Sequence, residues 1–117
     1  MTRFTQTPKP PYYAVIFSNT LSTADVGYAA MADKMFDMAV NQDGCFGAES
    51  TRDDARFGIT VSYWRDEASI ARWKADVSHL AAQYKGMTKW YTHYHLRVAK
   101  VERAYEGPKG RSLSKSS

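Results

Sequence analysis

Two histidines near the C-terminal end of the chain, His93 and His95, are separated by a single residue. In an extended strand this spacing puts both imidazole rings on one face, where they could bind Zn²⁺ or another divalent ion. A protein metal site needs at least a third ligand. No Asp or Glu follows until Glu102, and His79 is the only other histidine of the sequence. We therefore predict no metal site, and instead an exposed or dimer-facing pair of histidines.

Other sequence patterns that carry chemistry are missing. The chain has no glycine-rich phosphate loop, no nucleophile elbow and no Cys/His pair at a recognisable spacing, which argues against nucleotide-dependent enzymes and hydrolases. Cys45 is the single cysteine, so it cannot form an intramolecular disulfide. Because no cluster of cations surrounds it in the sequence, we predict a half-buried structural side chain and not a reactive thiol.

The composition predicts one folded domain with short basic ends. The chain has 117 residues, of which 44% are hydrophobic and 14% aromatic. Its net charge of +4 comes from residues 1–10 and 107–117, which carry five of the 16 basic residues and no acidic one; the body has 11 basic and 12 acidic residues. We expect disordered ends, a folded domain over residues 11–106, and no binding of nucleic acid.

The sequence also bears on location. It contains no uninterrupted apolar run of the ~18 residues that a membrane-spanning helix requires, and no basic segment followed by an apolar core at its N-terminus. A single cysteine removes the main support for an oxidising compartment. We therefore expect a cytoplasmic protein that does not bind a membrane.

The first half of the chain is typical of a strand, a helix and a second strand. Residues 12–19 are β-branched and aromatic, as in a strand. Ser22 or Thr23 could cap a following helix, with Asp25 in its first turn. Apolar residues at three- and four-residue spacing form the inner face of this helix: Tyr28, Ala32, Met35 and Ala39, broadened by Met31, Phe36 and Met38. Gly44 suits a left-handed turn, and a strand from 45 to 53 follows it.

The second half is typical of a strand, a helix and a final strand. Residues 57–64 alternate in hydrophobicity after a bend at Asp54 and Ala55. Asp66 could cap a helix with an apolar face and a break near 76–78. The apolar face of this helix consists of Ile70, Trp73 and Val77. The run from Trp90 forms the last strand, with Tyr91, His93, His95 and Arg97 on one face and a bulge past Ala99.

The order β, α, β, β, α, β predicts an α+β fold of the ferredoxin-like type, with both helices on one face of an antiparallel sheet. The other face of that sheet needs a cover, and so short a chain supplies no further element. A second copy related by a two-fold axis would cover it. We therefore predict a homodimer.

Several stretches together resemble a known family: YYAVIFSNT, the turn DGCFGAES, and ITVSYWRDEASIARWKADVSHLAAQ. They are similar to the antibiotic biosynthesis monooxygenase family of dimeric α/β barrels, over residues 12–105. The resemblance implies either oxidation of small aromatic, phenolic or quinol compounds by O₂ with no cofactor, or binding and degradation of haem. In the haem-degrading branch, Asn19 and Trp73 match functional positions. The position of the iron-ligating histidine is Gln83 here, which is a poor axial ligand.

Oxygenation without a cofactor requires removal of a proton from an electron-rich substrate and stabilisation of the resulting anion in a dry pocket. We expect an aromatic pocket bounded by Phe17, Phe36, Trp64, Trp73 and Tyr94. Asn19 could donate to the oxyanion, Trp73 could stack on the ring or donate its indole N–H, and His79 or His95 could be the base. Trp64 and Trp73 are equally interpretable as core residues, Asn19 as a turn former and His79 as an exposed side chain.

The sequence thus predicts a cofactor-independent monooxygenase of a small aromatic molecule. Two alternatives remain open at this stage. One is a ligand-binding or stress-response module of the same fold without oxygen chemistry, and the other is a haem-binding or haem-degrading protein.

Overall fold

The computed structural model describes residues 3–23, 27–83 and 89–108, with only the backbone described for residues 81–83. The described part contains four strands and two helices. In chain order they are β1 (Tyr12–Leu21), α1 (Tyr28–Val40), β2 (Cys45–Arg52), β3 (Phe57–Trp64), α2 (Glu67–Gln83) and β4 (Tyr91–Val101). The predicted order of elements is confirmed.

The strands form one sheet in the order β2, β3, β1, β4, and every neighbouring pair is antiparallel. This is the predicted ferredoxin-like βαββαβ arrangement. Both helices pack on the face of the sheet that carries the odd-numbered residues of β1, since Val15 contacts Ala39 of α1 and Ile70 of α2 in one core cluster. We call this side of the sheet the helix face, and the other side the open face.

Two clusters of buried side chains lie on the helix face. One surrounds Val15 and Trp64, which are 1% and 0% exposed. The other surrounds Leu21 and Trp90, and the methionines of α1 pack against it. The predicted inner face of α1 is confirmed in the main, because Met31, Met35, Met38 and Ala39 all belong to these clusters.

The beginning of α1 differs from the prediction. The helix starts at Tyr28, and its N-cap position is Gly27 in a left-handed conformation, not Ser22 or Thr23. Ser22 has a different partner, because its hydroxyl donates to the carbonyl of Lys89 at 2.6 Å. Asp25 lies outside the described residues. The strand before this helix is also longer than predicted, since β1 extends two residues beyond the predicted end, to Leu21.

The turn between α1 and β2 contains Gly44 in the predicted left-handed conformation, with φ 95°. A Cβ at this position would collide with the Ser69 side chain at the start of α2. The carbonyl of Gly44 also accepts a hydrogen bond from the backbone N–H of Arg65 at 2.7 Å. Glycine thus allows the α1–β2 turn to pack directly against the N-terminus of α2.

The second helix is continuous through residues 76–78, so the predicted break is wrong. Residues 76–78 are Asp, Val and Ser, which are weak helix formers. The packing of Ile70, Trp73 and Leu80 against the core outweighs this preference and keeps the helix regular. Asp66 caps the helix as predicted, and its Oδ1 accepts hydrogen bonds from the backbone N–H and the hydroxyl of Ser69 at 2.8 and 2.7 Å.

The last strand carries its irregularity at the opposite end from the prediction. The register shift lies between Thr20 and Leu21 of β1, opposite the beginning of β4, and Leu21 pairs with Tyr91. The shift turns Tyr91 onto the helix face, where it packs against α1, and leaves His93, His95 and Arg97 on the open face. The predicted common face for Tyr91 and the histidines is therefore wrong.

Two hydrogen bonds join the segment before β1, which the composition predicts to be disordered, to the sheet. The backbone N–H of Thr5 donates to Glu49 Oε2 at 2.9 Å, and the Thr7 hydroxyl donates to that of Tyr12 at 3.2 Å. Residues 109–117 of the basic tail lie outside the described residues, and the domain boundaries stay a prediction. Among the described residues, no helix combines the length and apolarity needed to cross a bilayer.

The cap of α2 makes a pH-dependent contribution to stability. Hydrogen bonds from Ser69 and from Arg65 lower the pKa of Asp66 from 3.8 to about 2. A carboxylate with a lowered pKa in the folded state stabilises the fold fully above its ordinary pKa, and this stabilisation disappears as the pH falls through the folded value. We expect Asp66→Ala to lower the Tm at neutral pH, and the gap from the wild type to close between pH 3.8 and about 2.

Thermal unfolding followed by circular dichroism at matched pH values measures this gap. The other carboxylates titrate in both proteins, so their contributions cancel in the difference between the two Tm values. Asp66→Asn is the control, because its side-chain oxygen caps the helix at every pH. A gap between the wild type and Asp66→Ala that stays constant down to the acid end would contradict the assignment.

Candidate functional site

The predicted site residues on the helix face fall into two groups along β1. Trp64 and Trp73 pack around Val15, and Phe17 and Tyr94 lie further along the strand towards Asn19. Phe36 belongs to neither core cluster, and 40% of its surface is exposed. The five aromatic residues expected to bound one pocket are thus brought together in two pairs, with Phe36 apart.

Trp64 and Trp73 form the first pair, with ring centroids 5.5 Å apart. Trp64 is 0% exposed and donates its indole N–H to the hydroxyl of Ser62 at 2.8 Å. Trp73 is half-buried, and its Nε1 is buried without a hydrogen-bond acceptor among the described residues. Trp64 therefore has no surface to offer a ligand and supports Trp73, whose N–H is a buried donor without a described partner.

The second group is a set of aromatic rings in edge contacts, which we call the aromatic wall: Phe17, Tyr28, Tyr91 and Tyr94. Phe17 lies 5.4 Å from the Tyr91 ring and 5.6 Å from the Tyr94 ring, and Tyr28 lies 5.8 Å from Tyr91. Tyr94 is 58% exposed, so the wall extends from the protein interior to solvent. A planar aromatic molecule could pack against such rings with large apolar contact area.

Asn19 lies beside this wall and is only 3% exposed. Its Oδ1 accepts a hydrogen bond from Nη2 of Arg52 at 2.7 Å. A guanidinium can only donate, so the amide oxygen must face Arg52 and the Nδ2–H group must point away from it. No acceptor for Nδ2 occurs among the described residues, which makes Asn19 an oriented donor and not the turn former considered from the sequence.

Arg52 was not anticipated as a site residue. Its side chain starts on β2 and crosses β3 over Gly58, which pairs with Arg52 on one side and with Asn19 on the other. Nη2 also donates to the Tyr28 hydroxyl at 3.0 Å, and Nη1 donates to the carbonyl of Arg56 at 2.8 Å. A Cβ on Gly58 would lie 2.6 Å from Cζ of Arg52, so glycine makes the crossing possible. Arg52 lies on the helix face because it pairs with Gly58, which lies on that face.

The surroundings of Tyr91 in the aromatic wall alter the pKa of its hydroxyl. Burial, with a smaller effect from its hydrogen bond to Tyr28, raises the pKa of Tyr91 far above its usual value, whereas the positive charge of Arg52 acts in the opposite direction. Burial is the largest cause of this shift, in agreement with the half-buried position of Tyr91 among the rings of the wall. In such surroundings a charge or a hydrogen-bond donor acts more strongly than in water.

The predicted bases lie elsewhere. His79 is exposed on α2. His95 lies on the open face, whereas Asn19 lies on the helix face. The His95 ring is 4.8 Å from that of His93, and its Nδ1 is 3.5 Å from a guanidinium nitrogen of Arg97. Within the described residues, no group of three or more His, Cys, Asp or Glu side chains is placed to hold a metal ion.

Two further sequence predictions concern single residues. Cys45 is half-buried, and burial raises the pKa of its thiol, in agreement with a structural side chain. The side chain of Gln83, which occupies the position of the iron ligand in the haem-degrading branch, lies outside the described residues.

The helix face thus carries donors and aromatic rings in two groups, with Trp73 beside Trp64 and Asn19 beside the aromatic wall; we call these groups together the helix-face site. Asn19 Nδ2 and Trp73 Nε1 lack acceptors among the described residues, and a guanidinium stands directly behind Asn19. Such an arrangement can bind a planar molecule that carries an oxygen with negative charge, because each polar group facing it is a donor.

Known proteins resemble this chain in sequence and in fold. YqjZ, an uncharacterized protein of Bacillus subtilis, is 48% identical over 98 residues, which cover 84% of this chain and 86% of YqjZ. Jasmonate monooxygenase ABM of Pyricularia oryzae is 33% identical over 92 residues. These cover 76% of this chain and 43% of the fungal protein, so the chain spans less than half of its length. No family model matches the chain.

Solved structures match the fold at low sequence identity. Protein SO0527 of Shewanella oneidensis superposes with a TM-score of 0.67 at 13% identity, covering 80% of this chain and 94% of that one. SnoaB of Streptomyces nogalater, a cofactor-independent oxygenase, superposes with a TM-score of 0.66 at 11% identity, covering 81% and 97%. At such identities these matches show that the fold is shared.

Proposed function

The chain belongs to the same protein family as YqjZ of Bacillus subtilis, and from that premise we propose that it is a cofactor-independent monooxygenase of the antibiotic biosynthesis type. Its substrate is a small phenolic or quinol compound that binds on the helix face. The proposal retains Asn19, Trp73, Phe17 and Tyr94 of the predicted site.

One observation carries the proposal: the indole N–H of Trp73 is buried and has no acceptor among the described residues. The Oδ1 of Asn19 accepts from Arg52, so the Nδ2 group of Asn19 is a second donor on the same face of the sheet. Unsatisfied buried donors are costly, and at functional sites they are satisfied by the ligand. A phenolate oxygen is an acceptor that either donor can use, because a phenol that loses its proton concentrates negative charge there. Donors held in place before the reaction stabilise such charge without reorganisation.

The chemistry needs no external reductant. A phenol with a free para position reacts with O₂ to give a quinone and water, so one oxygen atom enters the ring and the other leaves as water. The ring supplies the electrons. The phenol gives up its O–H proton first, and this hydrogen together with the para C–H hydrogen balances the water that is formed. Water at the exposed Tyr94 end of the wall accepts the proton. A base role for His79 or His95 is outside the proposal, because His95 lies on the opposite face from Asn19 and His79 is exposed on α2.

The relatives support the reaction class. One relative is named a monooxygenase, and one protein of the same fold is described as a cofactor-independent oxygenase.

We also propose that the protein acts as a homodimer in which a second copy covers the open face. That face carries Phe57, 43% exposed, together with half-buried Ile16, Ile59 and Val61.

Oxygen uptake tests the proposal. Purified protein treated with a metal chelator is mixed with 1-naphthol or 1,5-dihydroxynaphthalene, each of which has a free para position, in an oxygen electrode, and quinone is followed by its absorbance. We expect one O₂ consumed per quinone formed and no effect of the chelator. Trp73→Phe keeps the aromatic contact but removes the indole donor, so its kcat is expected to fall by about 10²-fold, as for loss of one oxyanion donor.

Equal rates for the folded Trp73→Phe variant and the wild type would refute the assignment of Trp73. If these compounds bind in a saturable way without any oxygen uptake, the protein is a binding module and not an oxygenase.

A further inference from the structure

We propose that Arg52 is the charged anchor of the helix-face site, so that the substrate is held as an anion whose negative oxygen is attached to an aromatic ring. This inference rests on the proposed function for the location of the site, and it names the charge state and class of the bound molecule. It concerns a residue for which the sequence predicted no role.

The positive charge of Arg52 has no acidic partner among the described residues. Its hydrogen bonds go to three neutral acceptors, on Asn19, Tyr28 and Arg56. The adjacent acid, Asp53, is engaged in the hairpin turn, where its Oδ1 accepts from the backbone N–H groups of Ala55 and Phe57 at 2.9 Å each. A partly buried cation without a counter-charge is unfavourable, and a bound anion would relieve this cost.

The partners of Arg52 transmit its effect to the ligand. Asn19 and Tyr28 each use an oxygen to accept from Nη2. The Nδ2 group of Asn19 is thereby left as a donor, whereas the Tyr28 hydroxyl is also hydrogen-bonded to Tyr91. The guanidinium carbon also lies 5.6 Å from the centre of the Tyr28 ring, which holds the cation against the aromatic wall. The described polar groups around this point therefore favour an acceptor with negative charge over a neutral donor.

Because residue 58 is a glycine, the Arg52 guanidinium has room to reach Asn19. The Arg52 side chain occupies the space above Gly58, and a methyl group there would come within 2.6 to 2.9 Å of three guanidinium atoms. Gly58→Ala is therefore expected to displace the guanidinium from Asn19 while the charge of Arg52 itself is unchanged. The variant thus separates the position of the charge from its presence.

A phenol bound beside this cation is acidified, because a nearby positive charge favours the ionised form. The probe 4-nitrophenol makes this visible, since its phenolate absorbs in the visible range and its neutral form does not. The titration is performed without oxygen, at a pH where most of the free probe is protonated. We expect added wild-type protein to increase the phenolate absorbance in a saturable way.

The variants assign the effect to Arg52. Arg52→Met keeps a long apolar side chain but removes the charge, and we expect the apparent Kd for the phenolate to rise by about tenfold or more, as for removal of an opposite charge close to an ionised group. Arg52→Lys keeps the charge and is expected to retain part of the absorbance change. Arg103→Met, at an exposed position after β4, alters the net charge equally and is expected to behave as the wild type.

Circular dichroism verifies that each variant is folded. The inference is overturned if the wild type binds 4-nitrophenol only in its neutral form or not at all, or if folded Arg52→Met gives the wild-type absorbance change. Because the titration involves no turnover, it can fail while oxygen uptake succeeds; the proposed function then stands and Arg52 has no part in it. Benzoate added as a competitor tells whether the site also accepts a carboxylate.

Discussion

Replacing Asn19 by alanine is expected to lower the kcat for oxidation of a phenolic substrate by about 10²- to 10³-fold, the effect of removing one preorganised donor to an oxyanion. Asn19 is 3% exposed, and its amide oxygen faces Arg52, from which it accepts a hydrogen bond. The Nδ2–H donor therefore needs no reorientation when negative charge develops. Steady-state oxygen uptake with a substrate found for the wild type measures the change.

Asn19→Asp is the matched control for this prediction. The carboxylate can still accept from Arg52, so the contact that fixes the side chain is preserved, while the donor is lost and a negative charge is added. We expect Asn19→Asp to be at least as impaired as Asn19→Ala but to keep a Tm closer to that of the wild type. A wild-type rate in Asn19→Asp would show that the donor is not used.

The second large effect concerns stability. Trp64→Ala is expected to lower the free energy of unfolding by about 3–5 kcal/mol, as for other buried Trp or Phe to Ala changes. Trp64 is fully buried, contacts Val15 and Ile70, and supports the Trp73 ring. This loss is a large share of the about 5–15 kcal/mol that stabilises a typical domain. Urea unfolding followed by far-UV circular dichroism measures it.

Two milder variants keep this prediction testable if Trp64→Ala does not fold. Trp64→Phe retains most of the buried ring, and Ser62→Ala removes only the acceptor of the indole N–H at 2.8 Å. We expect both to cost less than Trp64→Ala, with about 1–3 kcal/mol for the buried N–H that Ser62→Ala leaves unsatisfied. If Trp64→Phe and Trp64→Ala proved as stable as the wild type, Trp64 would not be a core residue.

The sequence alone was sufficient for the order and type of the elements. Helices and strands have different periods of hydrophobicity, and the Asp66 cap and the Gly44 turn depend on residues close in the chain. The ferredoxin-like fold follows from the order of these elements. The sequence offered Asn19, Phe17 and Trp73 as candidate site residues, and their roles stay predictions.

Only the tertiary structure decided how the site is assembled. Asn19 and Arg52 are 33 residues apart in the chain, and Gly58 lies further on. The three become neighbours only because β2, β3 and β1 pair in one particular register. The face of Tyr91 depends on a register shift next to Leu21, which no periodicity within β4 reveals. Local patterns record the interactions of residues near in sequence, whereas pairing between strands is set by the packing of the whole sheet, and this site is made of contacts across strands.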